Sequence, residues 1–174
     1  TPRPDAHVKE LLEKEGFEDT QQIVTKFNTY TAPYVNAEET EYLVIEDAFP
    51  NGRPKLEAAG IMFSNRETVE KFEKMKVGTC LNPLHTALAI FGCLLGYETV
   101  HEEMKDENMK KLVWELGYKE GMPVACNPGI ASPGDFLHEV LTKRFTNPFL
   151  PDSPRRLALD TSQKIPVRFG QTLK

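Results

Sequence analysis

The chain has 174 residues, 40% of them hydrophobic and 27% charged, the size and composition of one soluble globular domain with a real core. Its formal net charge of −5 is split: from residue 141 onward seven cations face two acids, a net +5, on a body that sums to −10. That balance disfavours nucleic acid as a partner and suits a small anionic substrate, with unevenness of no function as the plain alternative. Cys80, Cys93 and Cys126 form no C-x-x-C pair and His7, His85, His101 and His138 no H-x-x-x-H pair, which excludes a disulfide framework, a zinc cluster and an obvious metal site.

The opening "TPRPD" reads as the end of a connection, so a piece of a longer chain is expected. Asp5 is placed to cap a first helix carrying Val8, Leu11 and Leu12, which Gly16 stops. "EYLVIEDAF", residues 41 to 49, is rich in β-formers and ends at the turn cluster "PNGRP"; "GIMFS", residues 60 to 64, reads as a second short strand. Glu46, Asp47 and Arg53 around that turn read as a solvated strand end or as paired carboxylates for acid–base work.

Beyond residue 64 the pattern is helical. Ser64 or Asn65 caps a helix with Val69 and Phe72, and Asn82 with Pro83 opens another through "PLHTALAIFGCLLGY". Gly92 and Gly96, four apart, permit a close neighbouring helix. Asp106 caps a helix that ends at Gly117, Ser132 and Pro133 open the next, and Ser153 and Pro154 open "RRLALDTSQK", which stops before Pro166. The longest apolar run, near Ala87 to Leu95, falls short of a membrane span, and no stretch reads as a signal peptide. With the unpaired cysteines, this sets the expectation of a reducing, cytoplasmic setting with no membrane partner. The fold class is therefore mainly α, a single domain over residues 1–174, with a minor β element near residues 41–64. The final "FGQTLK" reads as a segment that continues.

Two constellations can carry chemistry. Asn82 and His85 are three apart, hence on one face at an electropositive helix start where an oxygen gaining negative charge is stabilised. Lys76 just upstream can exchange a proton if desolvation or a neighbouring cation such as Lys74 lowers its pKa from about 10.4, whereas a close Glu73 pushes the other way. The plain readings are a cap, a core histidine and a solvated lysine. Arg156, Asp160 and Lys164 recur at spacing four, a polar stripe that forms ion pairs or offers a two-pronged and a point-charge contact to a carboxylate or hydroxyls. No G-x-G-x-x-G or G-x-x-x-x-G-K-[ST] occurs, so the chain shows no cradle for a nucleotide.

Taken in order, Glu73-x-x-Lys76, Asn82-x-x-His85 and "NPFLPDSPRRLALDTSQK" resemble the second domain of the long-chain mannitol dehydrogenase family, which includes polyol dehydrogenases, fructuronate (mannonate) reductases and tagaturonate reductases. "VIEDAFPNGRP" and "TPRPD" resemble the family stretches before those helices and just after its nucleotide-binding domain. The resemblance implies a helical C-terminal substrate domain of a two-domain dehydrogenase, with NAD or NADP bound mainly by an upstream domain and no metal. It also implies roles: Lys76 as general acid–base, Asn82 holding the reacting oxygen, Glu73 as acidic neighbour in a proton path, and His85, Arg156 and Lys164 as substrate-binding groups. The family run has four residues between the lysine and the asparagine, whereas "KVGTCLN" has five. Either a local bulge absorbs the extra residue or Lys74 takes the role of Lys76.

The cationic end segment favours a keto-sugar acid, the fructuronate–mannonate pair, over mannitol or another polyol, with tagaturonate a further alternative. A reading of another class is a non-catalytic helical anion-binding or interaction module.

Overall fold

The computed structural model describes residues 6–28, 30–32, 42–148, 150 and 152–174. The chain divides into two compact units, residues 1–41 and residues 42–174. In the first, α1 (Ala6–Lys14) ends at Gly16, whose φ of +86° suits a residue without Cβ. The Thr20 hydroxyl then donates to Glu13 Oε1 at 2.5 Å. A short hairpin of β1 (Ile23–Val24) and β2 (Tyr30–Thr31) follows, an antiparallel pair that the sequence pattern does not announce. "TPRPD", the expected cap Asp5, the side chain of Val8, and Glu41 lie outside the described residues.

The second unit opens with β3 (Val44–Glu46) and β4 (Met62–Ser64), paired in parallel with Val44 opposite Met62 and Glu46 opposite Ser64. Arg53 clips the connection between them. Its Nε and Nη2 hold the two oxygens of Asp47 at 2.8 and 2.9 Å, Nη2 reaches Glu57 at 2.7 Å, and the guanidinium lies over the Phe63 ring. Both carboxylates are half exposed, so Glu46, Asp47 and Arg53 make a structural strand end.

Helix α2 (Arg66–Met75) starts where Asn65 Oδ1 accepts from the Thr68 N–H at 2.9 Å. It does not stop at Met75. The backbone widens into a π turn, Lys76–Cys80, in which the Leu81 N–H bonds the Lys76 carbonyl at 3.1 Å and the Thr79 hydroxyl donates back to the Met75 carbonyl. Leu81, at φ −131° and ψ −62°, then occupies the cap position of α3 (Asn82–Leu95). Asn82 is thus inside the helix and does not cap it, a correction to the expected start. The π turn carries the chain one residue further than an α turn does before α3 begins.

α3 is the central helix, buried on every side from Pro83 to Ala89. With α2 and the π turn it forms a helical run, Arg66–Leu95, long and apolar enough by length and composition to cross a bilayer, but 67% of its apolar window is buried inside the fold. That marks a core helix. The sequence pattern hides this run because Gly78 and Pro83 look like breaks.

Around α3 stand α4 (Val100–Glu103), α5 (Glu107–Glu115), α6 (Pro133–Glu139), α7 (Pro154–Leu157) and α8 (Thr161–Phe169). Thr99 and Glu102 form a reciprocal capping box on α4. Asp106, Ser132 and Ser153 cap α5, α6 and α7 as expected. α5 and α6 also run into π turns, Leu116–Gly121 and Val140–Arg144. Gly117 therefore does not end its helix; it sits within the first of these turns, pressed against Leu137 and Leu84. Met75, Leu84, Leu88, Val113, Leu137, Leu141 and Phe145 make the innermost core.

The last helix departs most from the sequence reading. "RRLALDTSQK" is broken at residues 158–160, where Asp160 takes a left-handed φ of +56°, and α8 then runs through Pro166 to Phe169. Arg156, Asp160 and Lys164 therefore do not form one helical stripe.

Gly92 is the tightest contact in the unit: a Cβ there would lie 1.8 Å from Glu103 Oε1 and 2.9 Å from Pro154 Cγ. Gly96, in contrast, is the left-handed end of α3 with open space around it. Glu103 is fully buried and neither carboxyl oxygen has a hydrogen-bond partner among the described residues; burial pushes its pKa up to about 8.

Gly92→Ala should cost about 1–3 kcal/mol through overpacking, measured by urea unfolding; an unchanged midpoint would contradict the packing. The folded state holds the Glu103 proton more tightly than the unfolded chain. Ionisation therefore erodes stability progressively from the ordinary value of 4.5 up to about 8, and the loss is complete above that. Glu103→Gln cannot ionise, so its stability should fall less than that of the parent between those two pH values. Identical pH slopes in the two proteins would count against the buried carboxyl.

Candidate functional site

Asp152, with 13% of its side chain exposed, gathers three cationic or potentially cationic groups. Arg156 Nη2 lies 2.5 Å from Oδ1, His85 Nε2 lies 3.2 Å from Oδ2, and Arg144 Nη2 lies 3.6 Å from Oδ2. The His85 contact is off the N–H line, so it is electrostatic more than a formed hydrogen bond. His85 also stacks its ring at 5.3 Å and 31° on Phe145. The Asp152 carbonyl accepts from the Val100 N–H at 2.9 Å. One residue thereby ties α3, the π turn after α6, α7 and the start of α4 together. Burial alone would raise the Asp152 pKa, but His85, Arg144 and Arg156 outweigh it and hold the carboxyl below its ordinary value.

Arg156 uses one end of its guanidinium on Asp152 and leaves 55% of its side chain exposed beside the cluster. Lys164 folds back, its ammonium donating to the Leu157 carbonyl at 2.9 Å and also to the Leu159 carbonyl. It satisfies the end of α7 across the break, which the predicted continuous stripe left out.

At the start of α3, Asn82 is half-buried, and its side-chain amide makes no hydrogen bond among the described residues. Its carbonyl accepts from the Thr86 hydroxyl at 2.9 Å, and that hydroxyl accepts from Arg168 Nη1 at 2.6 Å. Lys76 opens the π turn and Asn82 follows its end, both on the run that leads into α3. Lys76 and Glu73 are exposed, Glu73 one turn earlier on α2.

The structure thus links His85 to Arg156 through Asp152, sets Lys164 at the α7–α8 break, and joins Asn82 to α8 through Thr86. Among the described residues, no group of three or more His, Cys, Asp and Glu side chains is arranged to hold a metal.

Sequence reasoning missed Asp152, Arg144 and Thr86 as site residues, and took Arg168 only as one of the cations, with Arg155 and Arg156, of the end segment that favours an anion. The Asp152–Arg156 spacing of four in "DSPRR" is a signal that could have found the first. Thr86 and Arg168 are 82 residues apart and leave no local trace.

Residues 68–174 match the mannitol dehydrogenase C-terminal domain. The chain belongs to that family. It is similar to the D-mannonate oxidoreductase of Thermotoga maritima, 58% identical over 175 residues that cover 99% of this chain and 32% of the relative. The mannitol 2-dehydrogenase of Neosartorya fischeri is 37% identical over 156 residues, 88% of this chain and 29% of its own. Among solved structures, Pseudomonas fluorescens mannitol 2-dehydrogenase in a ternary complex with NAD and D-mannitol aligns at TM-score 0.63 and 28% identity, over 93% of this chain and 30% of that one. Substrate-free D-sorbitol dehydrogenase aligns at TM-score 0.69 and 30% identity, over 75% of this chain and 26% of that one. The chain spans about a third of the length of the curated relatives it matches. The mainly helical C-terminal architecture read from the motifs is the one these family members share.

Asp152→Ala should cost roughly 1.5–3 kcal/mol at neutral pH, through loss of the charge-assisted contacts to Arg156 and Arg144. The folded-state pKa of Asp152 is depressed, so its contribution is fully present above the ordinary carboxylate value of about 3.9 and is lost as pH falls through the lower folded value. The gap between parent and variant, read by urea unfolding, should close as pH falls below the ordinary carboxylate value. A gap that stays constant with pH would show that Asp152 acts by packing alone.

Proposed function

We propose that this chain is the substrate-binding and catalytic half of an NAD(P)-dependent oxidoreductase that interconverts a keto-sugar acid and its alcohol, the fructuronate–mannonate pair. The observation that carries the reading is the 58% identity to a D-mannonate oxidoreductase across 99% of the chain. Nothing among the described residues fits a dinucleotide: the sequence has no Gly-rich turn and the strands are two short pairs. The nicotinamide, held by another part of a longer two-domain protein, would supply the hydride. The free thiols Cys80, Cys93 and Cys126 go with a cytoplasmic setting.

The chain's own residues then have these tasks. Lys76 gives a proton to the carbonyl oxygen as the carbon is reduced, takes it back in the reverse direction, and exchanges it with water between turnovers. Asn82, with its amide free at the electropositive start of α3, donates to that oxygen as it gains alkoxide character. Arg156, oriented by Asp152, binds a hydroxyl pair or the carboxylate with its exposed edge. His85 and Lys164 line and shape the same side, and Glu73 stands near Lys76 as a proton-path neighbour. The π turn is the kind of bulge that absorbs the fifth residue of "KVGTCLN", which supports Lys76 over Lys74.

A second reading, oxidation of mannitol or a related polyol, is favoured by the mannitol 2-dehydrogenases at 37% identity and below.

The test compares the full-length protein with NADH on fructuronate, tagaturonate and fructose. Fructuronate should be preferred, and Lys76→Ala should lower kcat by about 10²–10⁴-fold while Lys74→Ala stays within a few-fold. Preference for fructose would move the reading to the polyol enzyme. Loss on Lys74→Ala alone would move the acid–base role. No turnover of any of the three would leave the non-catalytic module.

A further inference from the structure

The arginines of the site are not equivalent. Arg144 and Arg156 both lie against Asp152 and share its charge. Arg168 is part-buried, donates once to Thr86 at 2.6 Å, and has no carboxylate partner among the described residues. A guanidinium taken partly out of water is normally compensated by an acid. Here α8 packs on the π turn Lys76–Cys80 and on α3. Those three elements carry Lys76, Lys164 and Arg168 and not one Asp or Glu. Burial accordingly pulls the Arg168 pKa below its ordinary value with nothing opposing it.

Position adds to charge. Thr86 accepts from Arg168 and donates to the Asn82 carbonyl, contacts of 2.6 and 2.9 Å. One hydroxyl therefore separates the guanidinium from the residue proposed to hold the reacting oxygen. In a six-carbon keto-uronic acid four C–C bonds of about 1.5 Å separate the carbonyl carbon from the carboxylate carbon, roughly 5 Å extended. The contacts tie the guanidinium to the first turn of α3, the turn that begins with Asn82, so a carboxylate at that reach from the carbonyl carbon is directed to the same end of the helix. A guanidinium has five N–H donors, of which Arg168 spends one on Thr86.

We propose that Arg168 receives the carboxylate of the substrate and is the residue that selects a keto-sugar acid over a neutral ketose. This rests on the proposed function and names the group that sets its substrate class. Thr86 is then a positioning residue that aims the guanidinium.

The experiment measures kcat/KM of the full-length protein for fructuronate and for fructose, with NADH, in the parent, Arg168→Gln and Arg168→Lys. The keto-acid to ketose ratio should fall by about 10–100-fold in Arg168→Gln, the loss of one charge-assisted contact, and recover in part in Arg168→Lys, which keeps the charge without the fork. A residue that only ties α8 to α3 would lower both substrates together and leave the ratio unchanged, and that result overturns the inference while the keto-acid reading stands. A parent that prefers fructose overturns the keto-acid reading and this inference with it.

Discussion

The buried carboxylate of Asp152 is the interaction on which the helical unit depends. Three chain segments meet on it, α3 through His85, the π turn after α6 through Arg144 and α7 through Arg156, while the backbone carbonyl of the same residue accepts from the Val100 amide at the start of α4. Removing this carboxylate from water is costly, and only several donors arranged around it make it favourable. The same arrangement fixes Arg156 at the mouth of the cluster. A lone exposed arginine would sample many rotamers, whereas one anchored at 2.5 Å presents a defined edge. The contact that stabilises the helices also orients this guanidinium.

Helix widening is the second constraint. α2, α5 and α6 each end in a π turn, and the first leads into α3. A π turn admits an extra residue without unwinding the helix around it. It moves Asn82 from the cap position to the inside of α3, which leaves the side-chain amide without a backbone N–H to serve. A capping asparagine would be spent on its own helix. An asparagine one position later can face a ligand.

Side chains that act on their own backbone were legible in the sequence. Asn65, Asp106, Ser132 and Ser153 cap the helices they precede, because capping needs one polar residue at one local position. The two short strands near residues 44–64 were legible for a similar reason, their β-rich runs bounded by a turn cluster, whereas their parallel pairing with each other was not. What stayed hidden depends on partners remote in sequence or on helix pitch. "RRLALDTSQK" looks like one helix by spacing, yet Asp160 goes left-handed and Lys164 turns back on the α7 carbonyls, a choice set by packing against α3. Gly96 reads like Gly92 in the sequence, but one ends the helix and the other admits the buried Glu103. Asp152, the partner of His85, sits beyond any local window.

The charge map joins these levels. Most of the chain is acidic, yet the corner formed by the π turn Lys76–Cys80, the start of α3 and α8 holds three cations and no acid, and the helix start adds its own positive end. The Asp152 carboxylate, in contrast, faces Arg156, Arg144 and the His85 ring. Among the described residues the corner is therefore positive in a molecule whose formal net charge is −5.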